Sequence, residues 1–549
     1  MLGILYLSFD LNFLNFFWHG LHFPNDLPYR FSFMYSFILL RMAYRAFTQL
    51  KAFSMRQILA SGVALVVFII FVEELTSKNV DDISLLLSLV FSVGYVVILH
   101  IFKNKKYTAS AVSVLLLCTV LSEIALADTN KYSMNQSKTN YTSDYQDFRA
   151  LKTQLDEYDS GFYRMELTNL RTRMDPSWYN YNGVSVFSSM AYEKTANLQS
   201  DVGLFSNYIN SYTYNLQTPV YNAMFGLKYI VDNDNSNMST QFYRRLFSTD
   251  GFVAYENLYD LPVAFTCNSA VASWDAGATT DPFMAQENWF AAATGIPSVF
   301  ERLNVDYISY NNIAEFLEGE VESGSVSFQQ LDANAGASFT LEFNPQTTGN
   351  VYVYIQSDEA ETVTFSSNLF SKSVTPSDGY ILDLGTHNAG ETVYVDVSVK
   401  STSQNGTMEF YAYTMDMTAF ETGYESLADG GLTIDAYSDT YLHGTLTAGE
   451  DEIVYTSIPY DESWQIYVDG QPIYSNDIFA ISEGLLGFRI GAGEHEITLR
   501  YVSAGLYTGA IVTCIAILFG TFLVICRRRE WLWYKPKYTK KWTTLTSEE

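Results

Sequence analysis

Long unbroken apolar runs occupy the two ends of this chain, and short alternating ones fill the stretch between them. A helix needs about 20 mostly apolar residues to cross a bilayer. Residues 57–75 (QILASGVALVVFIIFVEEL), 82–102 and 107–127 meet that length near the start, and 507–526 (YTGAIVTCIAILFGTFLVIC) meets it near the end. Residues 29–47 make a fifth candidate whose Arg41 and Arg45 reach toward the near interface. The opening MLGILYLSF is too short to cross alone. Run 107–127 ends in Ala125-Leu126-Ala127 after KNKK, like a secretory cleavage site, but it follows three other apolar runs and is read as a span.

Between these ends the period changes. Residues 128–160 read as a polar linker followed by a short helix near 145–157. From 161 to about 325, strand-like FYRMEL and KYIVDN mix with helix-like DPFMAQENWFAAATG and IAEFLEG, so 128–325 is expected to form a mixed α/β domain. In 326–425 the runs ASFTLEF, NVYVYIQ, ETVTFSS, ETVYVDVSV and TMEFYAY alternate at period two between Gly- and Asn-bearing turns, predicting a β-sandwich. A second sandwich is expected over 430–505: Trp464, Ile466 and Val468 share a face, Asp469-Gly470 suits a tight hairpin, and Ile497, Leu499 and Tyr501 point inward. The Gly-rich GAGEH reads as a hairpin turn. The fold class is thus a polytopic α-helical membrane protein of about five spans, with a large extracytoplasmic α+β ectodomain containing β-sandwich modules.

Charge supplies the orientation. Lys51 and Arg56, then Lys103, Lys105 and Lys106, then Arg527, Arg528 and Arg529 mark loops 48–56 and 103–106 and the tail 527–549 as cytoplasmic. The loop 76–81 is poor in Lys and Arg, as an outside loop should be. Alternation then puts the loop 11–28 and residues 128–506 outside, in a multi-pass cell-membrane protein. Residues 128–506 carry 16 Lys and Arg against 50 Asp and Glu, which argues against binding nucleic acid. Cys267 is the one cysteine outside the apolar runs, so that part holds no internal disulfide and no paired-cysteine metal site. The 41 Tyr and 38 Phe invite a sugar-stacking reading, but strand propensity alone accounts for the bias and is the weightier one.

Candidate chemistry collects in WHGLHFPNDLPYRFSF, residues 18–33. His19 and His22 are three apart, with Asp26 nearby, a ligand set too small for a metal. Histidine titrates near neutrality and Arg30 suits a phosphate, so a head-group site is one reading. The other is an interfacial belt, the depth that Trp18, Tyr29 and Arg30 favour in any membrane protein. His387 and His443 read as packing or surface residues. No nucleophile elbow, zinc-protease helix, phosphate loop or dinucleotide fingerprint occurs.

Taken in order, WHGLHFPNDLPYRFSF, FYRMEL, YNGVSVFSS, FGLKYIVDN, DPFMAQENWFAAATG, IPYDESWQIYVDGQPI and LLGFRIGAGEHEITLRYVSAGLYTG resemble the YfhO-like bacterial membrane protein family. The resemblance implies similarity to family-C glycosyltransferases, which take a sugar from a polyprenyl phosphate outside the cell and pass it to lipoteichoic acid or a related envelope polymer, with no further cofactor. It moves the rim loop toward a substrate-facing role. His19 would polarise an acceptor, Asp26 is the loop's one acid, and Arg30 would hold phosphate with Trp18, His22, Asn25 and Tyr29 around it. Family members carry more spans before this loop, so the chain reads as a C-terminal half whose catalytic carboxylate lies in an N-terminal half, encoded separately or missing. A non-catalytic envelope-binding module and a transporter component are the alternatives.

Overall fold

The computed structural model describes residues 2–24, 28–76, 82–103, 108–131, 138–236, 238–314, 324–368 and 370–528. They form two compact units, residues 1–143 and 144–549.

In the first unit, short helices Leu2–Leu7 and Asn12–Trp18 precede Ser32–Thr48, Met55–Thr76, Asp82–Lys103 and Ala109–Lys131. Gly62 gives Met55–Thr76 its close approach to Asp82–Lys103, because a Cβ there would meet Val96 Cγ2 at 2.6 Å. Tyr95 donates to the Glu123 carboxylate, joining the next two helices through a polar pair on otherwise apolar surfaces. Among the described residues, three helices are long and apolar enough to cross a membrane: Met55–Glu74, Asp82–Lys103 and, in the second unit, Leu506–Arg528. Ser32–Thr48 has 17 residues. At 1.5 Å per residue that is about 25 Å, short of the ~30 Å hydrocarbon core. The apolar part of Ala109–Lys131 is Ser110–Leu126.

The second unit begins with helix Tyr145–Tyr158, whose Phe148, Leu151 and Leu155 are fully buried. They cover a four-stranded sheet in the order Arg164–Leu167, Leu227–Asp232, Phe252–Asn257, Tyr243–Thr249, the first pair parallel and the rest antiparallel. The DPFMAQENWFAAATG segment forms helix Pro282–Thr294 for legible reasons. Asp281 caps it by accepting from Phe283 N at 3.0 Å, proline fills its first position, and Gly295 ends it at φ 80°. Its Trp289 and Phe283 are fully buried. The expected helix around IAEFLEG, residues 313–319, falls mostly on 315–319, outside the described residues.

Two sheets then enclose one core. One runs Val305–Asn311, Ala337–Phe343, Val393–Val399, Ala360–Ser366, Ser371–Val374; the other runs Ser325–Gln329, Asn405–Met415, Gly349–Gln356, Tyr380–His387. Leu341, Phe343 and Val395 of the first meet Val351, Val353 and Ile355 of the second. The second sheet is covered on both faces, since its Tyr352, Tyr354 and Tyr413 pack into the helix-bearing core around Trp289. A second sandwich-like pair follows. One sheet runs Thr433–Ser438, Tyr441–Ala448, Gly493–Tyr501, Trp464–Val468, Gln471–Pro472; the other runs Ile478–Ile481, Leu485–Arg489, Glu452–Pro459, Ala264–Asn268. The strand Ala264–Asn268 is borrowed from far upstream, with Cys267 paired to Ile453. Asp469 (φ 52°) and Gly470 (φ 74°) make the tight turn that their dipeptide predicts. GAGEH is not a hairpin turn: Leu485–Arg489 and Gly493–Tyr501 lie in different sheets, and the glycines carry the chain across the core from one to the other.

Candidate functional site

The rim of the first unit is a tight knot of aromatic rings. Helix Asn12–Trp18 ends, and Gly20 and Leu21 both take positive φ (74° and 64°), turning the chain sharply back. Tyr29 does the same at φ 65°, just before Ser32–Thr48. The two turns bring together what lies on either side. Phe31, only 3 % exposed, is the hub: Phe9 stacks on it at 5.1 Å between ring centres, and Trp18 and His19 approach at 6.0 Å. Phe9 also meets Tyr29 and Tyr35 at 5.6 Å.

Hydrogen bonds pin the knot. Trp18 Nε1 donates to Ser8 Oγ at 2.9 Å, and that buried hydroxyl donates to Ile4 O at 2.7 Å. His19 Nδ1 lies 2.7 Å from Asn15 O, and Arg30 N donates to His19 Nε2 at 3.3 Å. A carbonyl only accepts, so these contacts assign the proton to Nδ1 and the lone pair to Nε2. Both ring nitrogens are thereby engaged, Nδ1 with the preceding helix and Nε2 across the turn. His22 and Arg30 are exposed, Trp18 and His19 half-buried; Asn25 and Asp26 lie outside the described residues. Trp18, His19 and Tyr29 therefore gather around Phe31. Ser8, Phe9 and Phe31, which hold them, were not singled out by the residue pattern. The one hint was a serine standing at the end of an apolar run.

The second unit places two ionisable side chains on a single strand, Arg164 half-buried and Glu166 fully buried. Arg164 donates to Phe225 O at 2.9 Å and to Ser457 Oγ at 2.6 Å, which ties the four-stranded sheet to the second sandwich. Glu166 is fully buried and accepts from Val184 N and Ser185 N, each at 2.6 Å, and from Tyr181 Oη at 3.2 Å. Burial dominates over these donors and pushes its carboxyl up to about 7. Nothing in FYRMEL marks Glu166 as buried rather than solvent-facing. Of the histidines read as packing or surface residues, His387 is buried against the Phe370 ring. His443 sits between Asp435 Oδ1 at 2.5 Å and Glu496 Oε1 at 2.9 Å. Among the described residues, no three His, Cys, Asp or Glu side chains converge to hold a metal.

Comparison with known proteins agrees with the motif order. The family described as "Bacterial membrane protein YfhO" matches residues 1–513. A curated relative from Bacillus subtilis (strain 168), "Uncharacterized protein YfhO", is 19 % identical over 536 residues, covering 90 % of this chain and 60 % of the relative. The chain thus spans about three fifths of that relative's length. Among solved structures, "Carbohydrate binding module family29" is 11 % identical with a TM-score of 0.15, overlapping 22 % of this chain and 90 % of its own. A family two carbohydrate esterase from Cellvibrio japonicus is 10 % identical at the same TM-score, overlapping 22 % and 33 %. The match over residues 1–513 makes this chain a member of the YfhO family of bacterial membrane proteins.

Proposed function

We propose that this chain is an envelope protein that serves as part of a polyprenyl-phosphate-sugar-dependent glycosyltransferase, delivering sugar to lipoteichoic acid or a similar polymer. Five helices cross the membrane in this reading, with Ser32–Thr48 and Ala109–Lys131 joining the three longer apolar ones, and the acidic second unit stands outside the cell. The observation that carries it is the rim itself: a rigid aromatic knot holds exposed Arg30 and His22 immediately before the apolar helix Ser32–Thr48. Aromatic rings and arginine at that depth sit among lipid head groups, where the phosphate of a polyprenyl donor would lie. Asp26 is the one acid of the rim loop and the candidate carboxylate in this reading. The test is glycan content of the envelope polymer in cells carrying Arg30→Ala or His22→Ala. Loss of decoration with normal membrane insertion supports the reading; unchanged decoration overturns it.

One observation favours a second reading, a non-catalytic module that anchors and binds polymer. Both His19 nitrogens are already occupied within the turn. His19→Gln keeps an acceptor and a donor but cannot exchange a proton. If decoration survives this change, His19 is a structural pin; if it disappears while the chain stays folded, the imidazole acts on the acceptor.

A further inference from the structure

A cavity of about 670 Å³ opens in the second unit, between turns of the four-stranded sheet region and the edge of the first sandwich. One wall comes from turns that follow strands: Thr168, Asn215 and Asp234. The facing wall comes from Ser371–Val374 and Tyr380–His387, which present Lys372, Tyr380 and Asp383.

The chemistry of these walls is lopsided. The Thr168 hydroxyl has a single proton, yet Asp234 Oδ1 at 2.9 Å, Asp232 Oδ1 at 3.0 Å and Asn233 Oδ1 at 3.3 Å all stand within reach of it. Thr213 Oγ1 is enclosed at the cavity wall and has no partner among the described residues. Asp383 receives Gly385 N at 2.7 Å and Asn350 Nδ2 at 3.2 Å, while burial pushes its carboxyl up to about 6. The oxygens around Thr168 also accept from Asn169 N, Asp234 N, Ser236 N and Ser236 Oγ, so the polar group left open at the wall is the Thr213 hydroxyl, which can donate and accept. Asp234, Asp378 and Asp383 outnumber Lys372, so the field repels a phosphate. Apolar area comes from Phe370 and the ring of Tyr380. A matching ligand brings hydroxyls, which both donate and accept, no negative charge and an apolar C–H face.

We propose that this cavity is a binding site for a neutral saccharide unit, with its hydroxyls on Asp234, Asn215 and Lys372 and its C–H face against Phe370 and Tyr380. This deepens the envelope-sugar function only by naming what the second unit holds. Saccharide binding by purified chain requires no transfer reaction, so its outcome is separable from the decoration assay.

The test is ligand-observed saturation-transfer NMR on the full chain in a detergent without a sugar head group. The probes are trisaccharides to hexasaccharides of glucose, galactose and N-acetylglucosamine, with glycerol phosphate as the anionic comparison. Saturation transfer to at least one neutral oligosaccharide is expected, weakened about tenfold by Asp234→Asn, the loss expected for one hydrogen bond to a charged group. Lys372→Ala, on the exposed rim of the opposite wall, weakens it in the same direction, and Tyr474→Ala, at a distant residue 80 % exposed, leaves it unchanged. The proposal is overturned by silence from every neutral probe at about 10 mM, which is beyond any useful affinity. It is equally overturned by transfer to glycerol phosphate alone, or by binding that neither Asp234→Asn nor Lys372→Ala alters in a folded chain.

Discussion

Replacing Glu166 by glutamine removes one titration while keeping the shape of the side chain. In the folded chain the Glu166 carboxyl is pushed up to about 7, against an ordinary 4.5. Between those two values the folded state keeps a proton that the unfolded state releases, so stability falls as pH rises through that window and levels off above it. At about 1.4 kcal/mol per pH unit the full window amounts to roughly 3 kcal/mol, and most of it lies between about pH 5 and 8. Complete burial means that solvent screening does not reduce this figure. Glutamine cannot ionise. Its carbonyl oxygen can still accept from Val184 N and Ser185 N, and its amide can donate to the Tyr181 hydroxyl oxygen. Urea unfolding of the full chain in detergent, followed by the near-ultraviolet dichroism of its buried aromatics, measures the two proteins side by side. Groups they share cancel in the difference. Glu166→Gln is expected to gain about 2–3 kcal/mol on the parent between pH 5 and pH 8, whatever their offset at acid pH. A difference that stays flat with pH would refute the reasoning, because Glu166 would then titrate as it does in the unfolded chain.

Gly226→Ala should destabilise the second unit by about 1–3 kcal/mol in the same urea assay, since alanine would occupy a left-handed backbone; the residue has φ 64°, and a Cβ would stand 3.0 Å from Leu261 O. The carboxylates of Asp435 and then Glu496 raise the His443 pKa. Their contribution is full below the ordinary histidine value and is lost as pH rises through the folded one, so His443→Gln lowers the melting temperature at pH 6 and not at pH 9. Burial pushes the Cys267 thiol up; it should react with a membrane-impermeant maleimide only after unfolding, as mass spectrometry would report. Introduced at a position 80 % exposed, Tyr474→Cys should be labelled by the same reagent on intact cells, and failure there with labelling of inverted vesicles would reverse the proposed orientation.

How much of this fold is legible depends on the reach of each interaction. Helix Pro282–Thr294 could be read because its cap, its proline and its terminal glycine are neighbours in sequence. The strand Gly349–Gln356 misleads for the opposite reason. Its Val-Tyr alternation looks like an inside and an outside, yet the valines enter the sandwich core and Tyr352 and Tyr354 enter the neighbouring one. A second covering layer leaves no mark on local periodicity. Nor does the pairing of Ala264–Asn268 with Glu452–Pro459, because any short apolar strand could fill that edge. GAGEH misleads because a glycine-rich turn looks the same whether the chain returns to its own sheet or passes to the facing one.

The rim shows the same division at the level of chemistry. Residue types make Trp18, His19 and Arg30 conspicuous, but what they do depends on partners set by two left-handed turns. Once Asn15 O and Arg30 N lie on either side of the imidazole, its first task is to hold the loop closed. For His19 to take a proton from an acceptor, Nε2 must exchange its 3.3 Å contact with Arg30 N for the substrate. That contact is long and releases little energy when made, so substrate competes on favourable terms. The firm 2.7 Å contact at Nδ1 would meanwhile keep the ring oriented. In the proposed reading, catalysis by His19 would require movement at the Arg30 side of the turn alone, and a donor phosphate would draw Arg30 that way.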